Sequence, residues 1–176
     1  MKSAVVVDTN VPIVANGKSD QAGMECEMAC IDRLEVVRDQ YRVVIDSLGQ
    51  IMKEYRKYLS PSGQPGPGDV FYKWLWDNRT NQEVCRQVAI TPSGVGDGNF
   101  AEFPQDPELA AFHHKDRKFV AVILASGEHA PVINATDTDW WHFREALARH
   151  DVEVEFICPE LMVRSRHGRR RQHGNH

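Results

Sequence analysis

Two aspartates in this chain each close an apolar run, Asp8 in "AVVVD" and Asp137 in "PVINATD". A carboxylate in that place is either a turn residue or a ligand, because open parallel sheets bind ligands beyond the carboxyl ends of their strands. Asp46, after "VVI", is placed the same way, so position alone does not separate the readings. Two acids in helical segments join them. On a helical wheel Asp116 falls within about 60° of Phe119, Val120 and Ile123, on the apolar stripe of "KDRKFVAVILASG". A carboxylate aimed at a core needs a partner, hydrogen bonds or a cation. As an N-cap or first-turn acid it would instead serve the helix dipole. Both readings of Asp116 stand. Glu54 lies roughly 120° from the centre of its helix's apolar stripe, where a solvated glutamate is the simpler reading for that residue alone. Together the four acids can converge above one edge of a sheet. Carboxylates held that close repel one another and call for a cation. Oxygen-only ligands suit Mg²⁺ or Mn²⁺ rather than zinc. Such ions activate water and stabilise charge on a scissile phosphate.

The elements that must position these acids follow from periodicity. Residues 3–7 are a short β-branched run that predicts a buried strand. Pro12 fits the first turn of a helix. Met24, Met28, Ile31, Leu34 and Val37 recur at helical spacing. "YRVVID" (41–46) predicts a second strand. "SLGQIMKEYRKYL" predicts a helix with Leu48, Ile51, Met52, Tyr55 and Leu59 on one face. The Pro- and Gly-dense segment 60–69 predicts a loop, "VFYKWLWDN" an aromatic-rich helix, and 90–107 another loop. The stretch 60–105 therefore reads as an insertion that elaborates the main rhythm. A helix ending at Gly127, a strand within 130–137, a helix over "TDWWHFREALARHD" and a last strand within 152–159 restore the alternation. That alternation argues the α/β class. The expected architecture is a three-layer α/β/α domain over 1–160 with a central, mainly parallel sheet of four to five strands. A basic, flexible tail over 161–176 follows it.

At 176 residues, 41% of them hydrophobic, the chain is long enough for one sizeable core. No apolar run reaches the about 18 residues of a membrane span. The start, "MKSAVVVDTN", is too short an apolar stretch for a signal peptide. Cys26, Cys30, Cys85 and Cys158 do not make a disulfide framework in a chain of this length. Cys26 and Cys30, four apart on a helix, read as buried thiols rather than half a zinc site. The expectation is a reduced, cytoplasmic protein. Charge is uneven: removing the five arginines of "RSRHGRRRQHGNH" from a net charge of −4 leaves about −9 on residues 1–163. Arg169, Arg170 and Arg171 in this tail are candidate phosphate contacts acting through counterion release.

The chain resembles the PIN-domain family of metal-dependent ribonucleases, which includes VapC-type toxins. The matching pieces are "VVVDTNVPI", the acid in "QIMKEY", "KDRKFVAVILASG" and "PVINATDTDWWHF", whose order and spacing span most of residues 3–157. The resemblance implies that Asp8, Glu54, Asp116 and Asp137 hold Mg²⁺ or Mn²⁺, with Asp139 replacing or supporting Asp137. It implies that Asn10 orients Asp8 or the phosphate, with help from Thr9 or Thr136. The implied reaction is hydrolysis of RNA phosphodiesters by an endoribonuclease, a toxin or defence effector. Homodimers and an antitoxin partner belong to the same expectation. The stretch 60–105 with Trp74 and Trp76, the pair Trp140–Trp141 and the basic tail depart from the compact toxin pattern.

Other residues carry weaker signals. His114, in "HHKD", is a turn histidine by position and a candidate phosphate contact. Trp140 and Trp141 could stack on splayed bases, although core packing suits at least one of them. Trp74 and Trp76 lie roughly 160° apart on a helix, one toward a core and one exposed. "GVGDG" lacks the lysine of a phosphate loop and reads as plain loop. Two rivals remain. A haloacid-dehalogenase-type phosphatase also begins with a strand ending in Asp, but wants a second Asp where this chain has Asn10. An inactive RNA-binding module would have lost the acids, and all four are present.

Overall fold

A computed structural model of the chain describes residues 1–163. Five strands form one all-parallel sheet: β1 (Ser3–Val7), β2 (Tyr41–Asp46), β3 (Cys85–Val88), β4 (Val132–Asn134) and β5 (Val154–Phe156), in the order β3-β2-β1-β4-β5. Val5, Val6 and Val7 are fully buried, as strands covered on both faces must be. Val5 lies opposite Val43, and Val6 and Val7 lie opposite Val132 and Ile133. The helices are α1 (Asn10–Ala15), α2 (Met24–Gln40), α3 (Gln50–Tyr58), α4 (Pro67–Asp77), α5 (Arg117–Ser126), α6 (Thr138–His142) and α7 (Arg144–Ala148). Helix α2 packs on β2 with α1 and α4 beside it, and α5 packs across β1, β2 and β3 with α3 beside it. The architecture is the expected three-layer α/β/α. No helix of the described residues is long and apolar enough to cross a membrane.

The strand order reverses at β1: the chain adds β2 and β3 on one side, then β4 and β5 on the other. Successive connections diverge there and leave a crevice at the carboxyl ends, the usual place for a ligand in such sheets. Asp8 and Asp137 follow the two strands that flank this crevice.

Several expectations need correction. The stretch 60–105 is not wholly outside the main rhythm, because 85–88 is the edge strand β3, paired with β2. Its glycines have a packing reason as well: a Cβ on Gly68 would stand 2.0 Å from the Pro12 carbonyl oxygen. That contact lets Asn16 Oδ1, at the end of α1, accept the Gly68 and Asp69 amides at 2.7 and 3.2 Å at the start of α4. In α2 the buried face is Cys26, Cys30, Leu34 and Val37, while Met24 and Met28 are exposed. Leu48 precedes α3 and is exposed. "TDWWHFREALARHD" is two short helices broken at Phe143 rather than one. Cys26 is bonded to Cys158, 132 residues away, so the cysteines are not all thiols. No local spacing signals a bridge between an early helix and the segment after the last strand. Cys30 and Cys85 are buried and free. On α4, Trp76 is exposed and Trp74 packs against Phe71, as the helical wheel requires.

Candidate metal centre

Asp8 follows β1 directly and is buried. Its Oδ1 accepts the Asn10 amide at 2.9 Å and its Oδ2 accepts the Trp140 indole N–H at 2.8 Å. The Tyr55 hydroxyl donates to the Val7 carbonyl just before it, which fixes the end of β1 against α3. Asp137 caps α6, with Oδ1 accepting the Asp139 amide at 2.9 Å. Asp116 occupies the N-cap position of α5, after the 3-10 turn His114–Asp116, yet its side chain makes no capping hydrogen bond. Its carboxyl reaches Asp137 instead. Position alone left cap and ligand open for Asp116; the residue takes the place of a cap and directs its oxygens elsewhere.

Oxygens of Asp8, Asp116 and Asp137 lie within 4.8 Å of one another. Electrostatics records the crowding. Burial, then the charges of Asp137 and Glu54, push the Asp8 carboxyl up to about 7, against the pull of the Asn10 and Trp140 hydrogen bonds. Burial, then the charges of Asp8 and Asp137, push Asp116 up to about 9, opposed by Lys118. In this crevice Asp8 and Asp116 hold protons that free carboxylates would release. A divalent cation would satisfy them by charge and by donor type, since all donors are oxygen.

Glu54 is not in this triad. Its Oε1 accepts from the buried Lys118 ammonium at 2.9 Å, and its Oε2 accepts from the Thr9 hydroxyl. Glu54 still lines the cleft over the triad, so it borders the centre through Thr9 and Lys118. Asp139 lines the same cleft. The Asn10 side chain turns away from the acids: its Nδ2 donates to Asn134 Oδ1 at 2.7 Å and its Oδ1 accepts the Ala135 amide at 2.8 Å. Asn10 thus clamps the ends of β1 and β4 together, and only its backbone orients Asp8. Asn134 continues the clamp, its Oδ1 accepting the Asp137 amide at 3.2 Å. Thr136 lines the neighbouring pocket, of about 600 Å³, with Asp8, Gln21 and Asp137. His114 is exposed and lines an adjoining groove near Lys53 and Lys57 rather than the cleft over the triad itself. Arg169, Arg170 and Arg171 lie outside the described residues.

Sequence reasoning missed two supports. Trp140 is fully buried and holds Asp8; a buried indole needs an acceptor, which was the available signal. Lys118 neutralises Glu54 from inside α5, and nothing local in "KDRKF" announces it. Trp141 packs edge-on against Phe156 with Arg144 over its ring. Comparisons with protein-family models, curated proteins and solved structures return no match, so the centre rests on its own geometry.

Proposed function

We propose that this protein is a Mg²⁺- or Mn²⁺-dependent endoribonuclease of the PIN type. The observation that carries the reading is the triad of Asp8, Asp116 and Asp137, with oxygens within 4.8 Å at the strand-order reversal. These three would hold the cation, which when bound supplies a more acidic water and neutralises charge on the phosphate. The chain's own groups do the rest. Trp140 and the Asn10 amide fix the rotamer of Asp8. Asn10 and Asn134 keep the two flanking strand ends at constant separation. Thr9 and Lys118 hold Glu54 at the rim, where it can orient a water or accept its proton by one of its two oxygens.

The reading places the work in the cytoplasm and makes a homodimer and an inhibitory antitoxin the partners to seek. Nothing favours the phosphatase rival, because Asn10 has its side chain engaged by Asn134 and Ala135. The test is cleavage of a labelled RNA by purified protein with Mn²⁺ and with EDTA. Cleavage should depend on the ion and vanish in the Asp8→Asn, Asp116→Asn double variant. No cleavage by wild type, or a double variant as active as wild type, overturns the reading.

A further inference from the structure

The cleft over the triad opens into a groove of about 760 Å³, with which it shares Glu54, Tyr58, His113 and Lys115. One wall is the exposed face of α3, where Lys53 and Lys57 stand at i and i+4 and are therefore neighbours. The other wall is the segment carrying His113, His114 and Lys115. Among the described residues, none of Lys53, Lys57 and Lys115 pairs with a carboxylate. The two acids of the groove are Glu54, neutralised by Lys118, and Asp97. Like charges one turn apart are mildly destabilising, and here they gather in a body of about −9 over residues 1–163. Such a strip is what a polyanion needs. Tyr58, lining both the groove and the cleft over the triad, is 51% exposed as a residue, with the Lys57 ammonium 5.3 Å from its ring centroid. Most other aromatic rings of the chain are buried or packed on neighbours. A second pocket at the triad, lined by Asp8, Gln21, Thr136, Asp137 and Leu161 among others, has no lysine or arginine among the described residues.

We infer that the groove is the track of a single RNA strand, held on one side of the scissile bond only. Lys53, Lys57 and Lys115 contact its phosphates, and Tyr58 stacks on an unpaired base. The inference rests on the reading of the triad as an RNA-hydrolysing centre. A single strand fits because a stacking platform requires a base out of its duplex. One-sidedness follows from the lysines of the described residues lining the groove and not the second pocket at the triad.

The test is fluorescence anisotropy of the full chain with labelled ten-nucleotide RNA in EDTA, which stops cleavage, over 50–200 mM salt. The Lys53→Gln, Lys57→Gln variant should bind about tenfold more weakly and lose about 1.4 from the slope of log affinity against log salt. Tyr58→Ala should weaken binding about tenfold with the slope unchanged. The duplex of the same sequence should bind less tightly than the single strand. Shortening the strand from one end should weaken binding sharply, and from the other end hardly at all. Thermal melts of each variant confirm folding. Wild-type affinity and slope in the double lysine variant overturn the inference, because the RNA then runs elsewhere, for instance along the basic tail. Preference for duplex, or equal loss from both ends, also overturns it. Absence of Mn²⁺-dependent cleavage with the lysine effect intact would instead sink the hydrolase reading and leave the track.

Discussion

Asp8 and Asp46 stand in register, three residues beyond the paired Val5 and Val43 on adjacent strands. Both are buried, and both end an apolar β-branched run. Their surroundings differ. Asp46 meets the start of its own helix, with Oδ2 accepting the Gln50 amide and Oδ1 the Ile51 amide, each at 2.8 Å. A helix N-terminus offers unsatisfied N–H groups and a favourable dipole, so that carboxylate is fully used inside the fold. Asp8 receives one amide and one indole N–H and then faces two more carboxylates. The difference is topological. Asp46 lies between β2 and β3, where the sheet runs on in one direction, while Asp8 lies where it reverses. Equal strand ends thus become a cap in one place and a candidate ligand in the other.

Four experiments press on that contrast. The largest effect is on activity: Asp8→Asn should lower Mn²⁺-dependent cleavage about 10³-fold, several kcal/mol of transition-state stabilisation. Its melting temperature without metal should fall less than that of Asp46→Asn, since relief of the repulsion offsets the donor, Asn10 amide or Trp140 indole, left facing an NH₂ group. Retention of more than a tenth of the activity would place Asp8 with Asp46 as a structural acid. Metal binding comes next. Folded-state values of about 7 and about 9, against an ordinary 3.8, mean that the folded protein holds protons the unfolded chain gives up. The stability these protons supply is complete below about pH 4 and is lost as pH rises through 7 and then 9. Metal-free protein should therefore melt lower at pH 9 than at pH 6. Mn²⁺ at about a hundred times its Kd should add about 2.7 kcal/mol, roughly 5–10 °C, with the larger gain at the higher pH. Scanning fluorimetry reads both trends, and an unresponsive melt would remove the cation from the account.

Asp46→Asn should do the reverse of Asp8→Asn. It leaves one helix amide facing an NH₂ group, a cost of about 2 kcal/mol, with cleavage per folded molecule unchanged. Urea melts and specific activity separate the two effects. The smallest change expected is in Gly49→Ala. Gly49 turns the chain from Asp46 into α3 at φ +79°, where a side chain costs about 1 kcal/mol although its Cβ would meet nothing within 4 Å. A neutral substitution there would show that the turn relaxes without glycine.

The elements were legible wherever pattern and burial coincide. Val5 to Val7, Val43 to Ile45 and the stripe Phe119, Val120 and Ile123 are buried as their spacing requires. Met24 and Met28 misled because methionine fits a helical stripe without being needed in it, while Cys26 and Cys30 are buried as expected and only the bond from Cys26 to Cys158 went unread. The edge strand 85–88 is four residues long with Arg86 and Gln87 at its centre, too short and too polar for a periodic signal. In the centre, the three aspartates announced themselves by type and place. What the sequence did not reveal was how they are held. Trp140 on Asp8, Lys118 on Glu54 and Asn10 on Asn134 span 132, 64 and 124 residues, and such distances leave no local trace.

The sheet begins with its middle strand. β1 is made before both strands it pairs with, β2 and, far later, β4. Proteins are made from the N-terminus at about 5–20 residues per second, so Asp8 waits while more than a hundred residues are synthesised. The triad needs Asp137, and Asp8 needs Trp140, before the crevice closes around them. A chain interrupted anywhere before that point contains the first acid and no centre. Until the chain is made past Trp140, Asp8 lacks the partners that would make it part of a metal site.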